Sequence, residues 1–152
     1  MTDRIINLKN YIKDNLDKNG GIWEYVINLE IREGISELDE SESEIFSIEI
    51  LTWNETILYH LADGIIFSQN KYIDQDYLYC LIFLKINDKD KLDYLVENLY
   101  ACYTNLDKET KPLDFFIRMR DKIKKEYDEI KVEDFFMLEL NEIINKKNKR
   151  LF

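Results

Sequence analysis

The stretch 77–86, Tyr-Leu-Tyr-Cys-Leu-Ile-Phe-Leu-Lys-Ile, is the most apolar run in this chain of 152 residues. It restricts the fold more than any other feature. It is too short to span a bilayer, which takes roughly 20 apolar residues. An apolar run of this length is a buried strand or a buried helix, and periodicity alone does not separate the two. The flanks favour a helix: Asp74 or Asp76 can accept from free N–H groups at its start, and Asn87-Asp88 can end it. A helix apolar on nearly every side has to be surrounded by other elements. The expectation is a fold organised around a central helix.

The rest of the chain agrees with that expectation. Only four Gly and one Pro, Pro112, are present, which speaks for long helices and against many tight turns. Ile5, Leu8, Ile12 and Leu16 recur at helical spacing after Thr2, and Asn19-Gly20-Gly21 reads as the stop of that helix. Phe46, Ile50, Trp53, Ile57 and Leu61 continue the pattern, with Asn54 dividing it and Gly64 marking close packing or an early end. Further helices are expected from Asp88 through Tyr103, from Pro112 through Tyr127, and from Val132 to Ile144. The predicted fold is all-α: one domain over 1–152, an antiparallel helical bundle or short α-superhelix around 77–86, with a short basic C-terminal tail at 146–152. One segment reads differently. Trp23, Tyr25, Ile27, Leu29 and Ile31 alternate with polar residues as a strand would, and so do Phe46, Ile48 and Ile50. The alternative is therefore α+β, with a small antiparallel element within 22–53.

Charge is unevenly spread. The formal net charge is −10; residues 1–100 hold 20 acidic and 9 basic side chains, whereas residues 101–152 are nearly balanced. An acidic body repels nucleic-acid phosphates, so no direct nucleic-acid binding is expected, and a basic protein is the partner such a field attracts. The densest acidic stretch lies at 34–44, where Glu37, Asp39, Glu40, Glu42 and Glu44 crowd into eight positions. Read as a solvated connector, whose second half can also start the next helix because acidic residues favour a helix N-terminus, these five carboxylates are the candidate partner-binding residues. They are expected to contribute little to the fold. Tyrosines are plentiful, and some of them are candidate contact anchors.

Signals of catalysis are missing. His60 is the single histidine; Asp63, three residues on, shares its helical face, but no second histidine, His-Glu-x-x-His, Cys-x-x-Cys, phosphate loop or nucleophile elbow accompanies it. Carboxylates recur at i, i+3 in Glu30/Glu33, Glu37/Glu40, Asp90/Asp93, Glu126/Glu129 and Glu139/Glu142, a spacing that magnesium sites use but that arises by chance in so acidic a chain. No catalytic residue, cofactor site or metal site is assigned. Cys80 and Cys102 fall inside apolar helical patterns and read as buried free thiols of a reducing, cytoplasmic compartment. The sequence holds no membrane span.

The functional expectation is an acidic protein-binding module. Its sharpest form is a bacterial immunity-type protein that neutralises a toxin, such as a nuclease, by covering a basic site. The alternatives are a metal-dependent all-helical nucleotide hydrolase built on carboxylate pairs and a homodimeric structural domain.

Overall fold

The computed structural model describes residues 2–127 and 134–151. Every regular element among them is helical. In chain order these are α1 (Asp3–Asp14), the single turn α2 (Gly20–Ile22), a wide π turn (Trp23–Ile27), α3 (Asn28–Ser36), α4 (Glu40–Glu49), a 3-10 turn (Ile50–Thr52), α5 (Glu55–Phe67), α6 (Gln75–Lys85), α7 (Lys89–Asn105), a 3-10 turn (Lys108–Thr110), α8 (Leu113–Glu126) and α9 (Asp134–Leu151). Val132, expected to open the last helix, and Glu129 and Phe152 lie outside the described residues.

The apolar run forms α6, capped by Asp74, whose side chain accepts from the Tyr77 amide. Tyr79, Cys80, Ile82 and Phe83 are fully buried, and α5, α7 and α8 pack around the helix. Leu81 and Leu84 are only half-buried, so one edge of α6 reaches the surface. At its C-terminal end, Lys122 of α8 donates to the Leu84 carbonyl at 3.1 Å and to the Ile86 carbonyl. It thereby satisfies acceptors that a helix end leaves open. One continuous apolar core runs from Ile5 in α1 to Ile144 in α9.

The antiparallel element expected within 22–53 does not form. The segment 20–36 is one continuous helical run that buries Trp23, Ile27, Ile31 and Ile35. In an α-helix a strict four-residue repeat drifts around the axis, because a turn takes 3.6 residues. The wider π turn, closed by i→i+5 bonds, counters that drift and keeps the four side chains in line. Tyr25 and Leu29 fall between them but face solvent, so apolar residues on two opposite faces mimic the alternation of a strand. Phe46 and Ile50 likewise belong to a helical face, with Ile48 pointing outward.

Two other boundaries differ from expectation. The first helix ends at Asp14, and Asn19-Gly20-Gly21 opens the next helix instead of closing the first. The Asn19 side chain accepts from the Ile22 amide at 3.0 Å, and no described residue adopts a positive φ. The basic stretch near the C-terminus is no free tail within its described part. It continues α9, where Arg150 and Lys146 pair with Glu109 at 2.6 and 3.7 Å.

Gly64 marks a close approach. A Cβ at this position would lie 2.5 Å from Ile31 Cγ2 and 3.3 Å from Ile35 Cδ1. The missing side chain sets how tightly α5 meets α3, and so fixes the distance between the two walls of the groove described next.

Candidate functional site

A groove of about 700 Å³ takes its lining from the 16–32 segment, α5 and α7. On α5, Tyr59, His60, Asp63 and Phe67 follow one another at i, i+1, i+4 and i+8, so they share the side of the helix opposite the one that packs inward. The facing wall carries Trp23 from the π turn and Glu24, Asn28 and Arg32 at four-residue steps. Tyr94 of α7 and Leu16, Lys18 and Gly20 complete the lining.

Aromatic rings form a connected row along this groove. Trp23 stacks on His60 with centroids 4.1 Å apart and planes 19° from parallel. Tyr59 stands edge-on to His60 at 5.0 Å, and Tyr94 edge-on to Tyr59 at 5.6 Å. Trp23 is held in place by its indole N–H, which donates to the Asn15 carbonyl at 3.1 Å. Burial and the positive charge of Lys91 hold the His60 pKa below its ordinary value, so the imidazole is neutral near pH 7. The Tyr94 hydroxyl donates to Asp63 Oδ2 at 2.6 Å. Burial and that carboxylate raise the Tyr94 pKa, so the phenol stays a donor. His60 and Asp63, which share a helical face, thus serve different partners, His60 stacking on Trp23 and Asp63 accepting from Tyr94. Two buried polar atoms of residues that line the groove, Asp63 Oδ1 and Arg32 Nε, have no hydrogen-bond partner among the described residues and are closed off from solvent. The Arg32 guanidinium lies 5.4 Å from the centre of the Phe67 ring.

The five carboxylates singled out in the sequence sit elsewhere, on the turn from α3 into α4. Two of them serve the fold. Asp39 caps α4, accepting from the Glu42 amide at 2.8 Å, and Glu42 returns the contact by accepting from the Asp39 amide at 3.1 Å. This reciprocal arrangement is a capping box. Glu42 also pairs with Arg4 at 3.4 Å, and Arg4 donates to the Glu37 carbonyl at 2.7 Å. Buried Asn70 fixes the turn from beneath: its amide donates to the Ile35 carbonyl at 2.8 Å and to Ser43 Oγ at 3.0 Å. The segment is therefore an ordered turn and not a loose connector. Glu37, Glu40 and Glu44 remain exposed. Glu40 and Glu44 share the outer face of α4 with Ile45 and Ile48, and Ile48 is 75 % exposed.

A second exposed apolar surface runs along the 20–36 helix. Ile22, Tyr25, Val26 and Leu29, at i, i+3, i+4 and i+7, are between 41 and 75 % exposed. Four residues beyond Leu29 the same line reaches Glu33, and four further Glu37, both exposed.

Among the described residues no group of three or more His, Cys, Asp or Glu side chains is placed to hold a metal ion. The i, i+3 carboxylates disperse: Asp93 pairs with Lys89 at 3.1 Å, and Glu139 accepts from the Tyr100 hydroxyl at 3.0 Å. Cys80 and Cys102 are both buried and free. Burial raises both thiol pKa values, that of Cys102 to about 12 with the help of Asp76, so neither is a nucleophile near neutral pH. No described helix is long and apolar enough to cross a membrane. Sequence reasoning found the His60–Asp63 spacing but missed the groove, because Trp23, His60 and Tyr94 come from three distant segments and no motif links them. Comparison of the chain with protein-family models, with curated proteins and with solved structures returns no match.

Proposed function

We propose that the chain is a protein-binding module that docks a basic partner through the outer face of its 20–36 helix. The observation that carries this reading is the double-faced character of that helix. One apolar face, Trp23, Ile27, Ile31 and Ile35, is spent on the core; the other, Ile22, Tyr25, Val26 and Leu29, faces solvent. A contiguous exposed apolar patch with polar borders is the usual mark of an interaction surface, and a rigid tyrosine at its centre is a common energetic anchor. The chemistry of the partner follows from charge. The patch sits in the half of the chain with 20 acidic against 9 basic side chains, and the line of the patch continues into Glu33 and Glu37. Two copies of so acidic a surface repel each other, whereas a basic surface is drawn in. The sharpest form of this reading remains an immunity-type protein that covers the basic site of a toxin enzyme such as a nuclease.

The test is affinity purification from the native host with the wild-type chain and a Tyr25→Ala/Leu29→Ala variant in parallel. A basic protein retained by the wild type and lost by the folded variant supports the reading. Retention of the same proteins by both removes the patch from the interface, and a wild-type dimer in sedimentation that the variant abolishes transfers the patch to self-association.

A further inference from the structure

We propose that the groove between the 20–36 helix, α5 and α7 is a binding site for a neutral, planar heterocycle of the nucleobase or nucleoside class. Three observations lead there. First, the row Trp23–His60–Tyr59–Tyr94 lines the groove with linked ring contacts of 4.1, 5.0 and 5.6 Å. A row of aromatic faces and edges is a surface that suits a flat ring, and aromatic side chains stack on any base because every base has a π-face.

Second, the two polar atoms left without partners differ in kind. Asp63 Oδ1 is an acceptor, and Arg32 Nε–H is a donor. Buried polar atoms are ordinarily paired. The Tyr94 hydroxyl already occupies the other oxygen of Asp63, and the Arg32 guanidinium lies over the Phe67 ring; both unpartnered atoms are closed off from solvent, so a ligand reaches them as the Asp63 and Arg32 side chains turn toward the groove. A ligand that completes the groove offers one donor and one acceptor around a flat ring, which is the edge chemistry of a nucleobase. An aromatic hydrocarbon offers neither, and an aromatic carboxylate offers only acceptors.

Third, charge selects the neutral form. The lining residues include two cations, Lys18 and Arg32, and two anions, Glu24 and Asp63, so the groove has no surplus to offer a phosphate. The chain as a whole carries −10 and repels anions. A volume of about 700 Å³ falls within the roughly 300–1,000 Å³ of small-molecule pockets. Glu24, Asn28 and Arg32 lie on a different flank of the 20–36 helix from Tyr25 and Leu29, so this site stands or falls independently of the docking face.

The test is an NMR titration of the isotope-labelled wild-type chain with guanosine, adenosine, cytidine and uridine, and with their 5′-monophosphates. The expected result is saturable binding of at least one nucleoside with Kd below about 1 mM, with shifts at the Trp23 indole N–H and the His60, Tyr59 and Tyr94 rings. The matching monophosphate binds more weakly. Asp63→Leu and Arg32→Lys, which keep size or charge but remove the unpartnered atom, each lower the affinity by about tenfold, while Ile48→Ser leaves it unchanged. Having two groove variants keeps the test open if one fails to fold. Absence of saturable binding by all four nucleosides up to about 10 mM would overturn the proposal, as would shifts confined to other surfaces, tighter binding of the monophosphates, or affinity unchanged in the folded groove variants.

Discussion

His60 carries a role that its residue type alone does not reveal. It has no catalytic company in the sequence, and the structure gives it a specific place as the ring stacked on Trp23. Its pKa is lowered by burial first and by Lys91 second. A histidine whose folded pKa lies below its unfolded value contributes stability that is present above the unfolded pKa and lost as pH falls through the folded one. The expectation is therefore a single histidine NMR titration with a midpoint below 6.5, and a denaturant midpoint that falls as pH drops beneath that value. A midpoint at or above 6.5 would contradict the stacked, half-buried imidazole. The five acidic residues of 37–44 divide by the same reasoning from contacts. Asp39→Ala removes a helix cap and should cost about 0.5–2 kcal/mol. Glu44→Gln touches nothing comparable and should stay within about 0.5 kcal/mol. Chemical denaturation of the two variants measures both. Equal effects would show that the capping box is not formed, and the expectation that all five contribute little to the fold would then hold after all.

Among the elements, α6 was legible because its apolar run is unbroken and Asp74 caps its start; Asn87-Asp88, expected to end it, instead leads into α7, which Asp88 caps. What the run could not show was its open edge. Phe83 is fully buried and Leu81 half-buried, so Phe83→Ala should cost about 3–5 kcal/mol and Leu81→Ala distinctly less. Comparable losses in denaturant unfolding would mean that α6 is enclosed on every side. The 20–36 helix was illegible for the converse reason. Its two apolar faces superimpose in sequence as an alternation of period two, and a π turn that holds a four-residue repeat in register leaves no signature in residue type. The contact of that helix with α5 turns on Gly64. Gly64→Ala gains about 1 kcal/mol of helix propensity, but its Cβ would meet the branched, buried Ile31 at 2.5 Å. Overpacking of this kind costs about 1–3 kcal/mol, and Ile31 has no free rotamer end to move aside. A lowered thermal midpoint is expected, together with altered Trp23 fluorescence as the groove walls part. A raised midpoint would show that α3 and α5 are less closely packed.

For the whole molecule, the charge asymmetry was plain in the sequence, but its use depended on surfaces that only the fold displays. The acidic half of the chain carries two exposed apolar surfaces, the Ile22–Leu29 line and the Ile45–Ile48 edge of α4, and the exposed carboxylates Glu37, Glu40 and Glu44 border them. Which tyrosine could anchor a partner was likewise invisible in a chain with ten of them; Tyr79 and Tyr103 are buried, and Tyr25 is the most exposed aromatic among the described residues. Rim charges act mainly on association and its salt dependence, while central anchors act on dissociation. The most direct measurement of the central claim is therefore binding kinetics with the basic protein that the wild-type chain retains, across a salt series in which the Debye length shrinks from about 30 Å at 0.01 M to about 3 Å at 1 M. The account predicts that replacing Glu37, Glu40 and Glu44 with glutamine slows association at low salt and has little effect at high salt, and that Tyr25→Ala speeds dissociation at every salt concentration. An association rate indifferent to salt and to the three carboxylates, together with a dissociation rate indifferent to Tyr25, would contradict it.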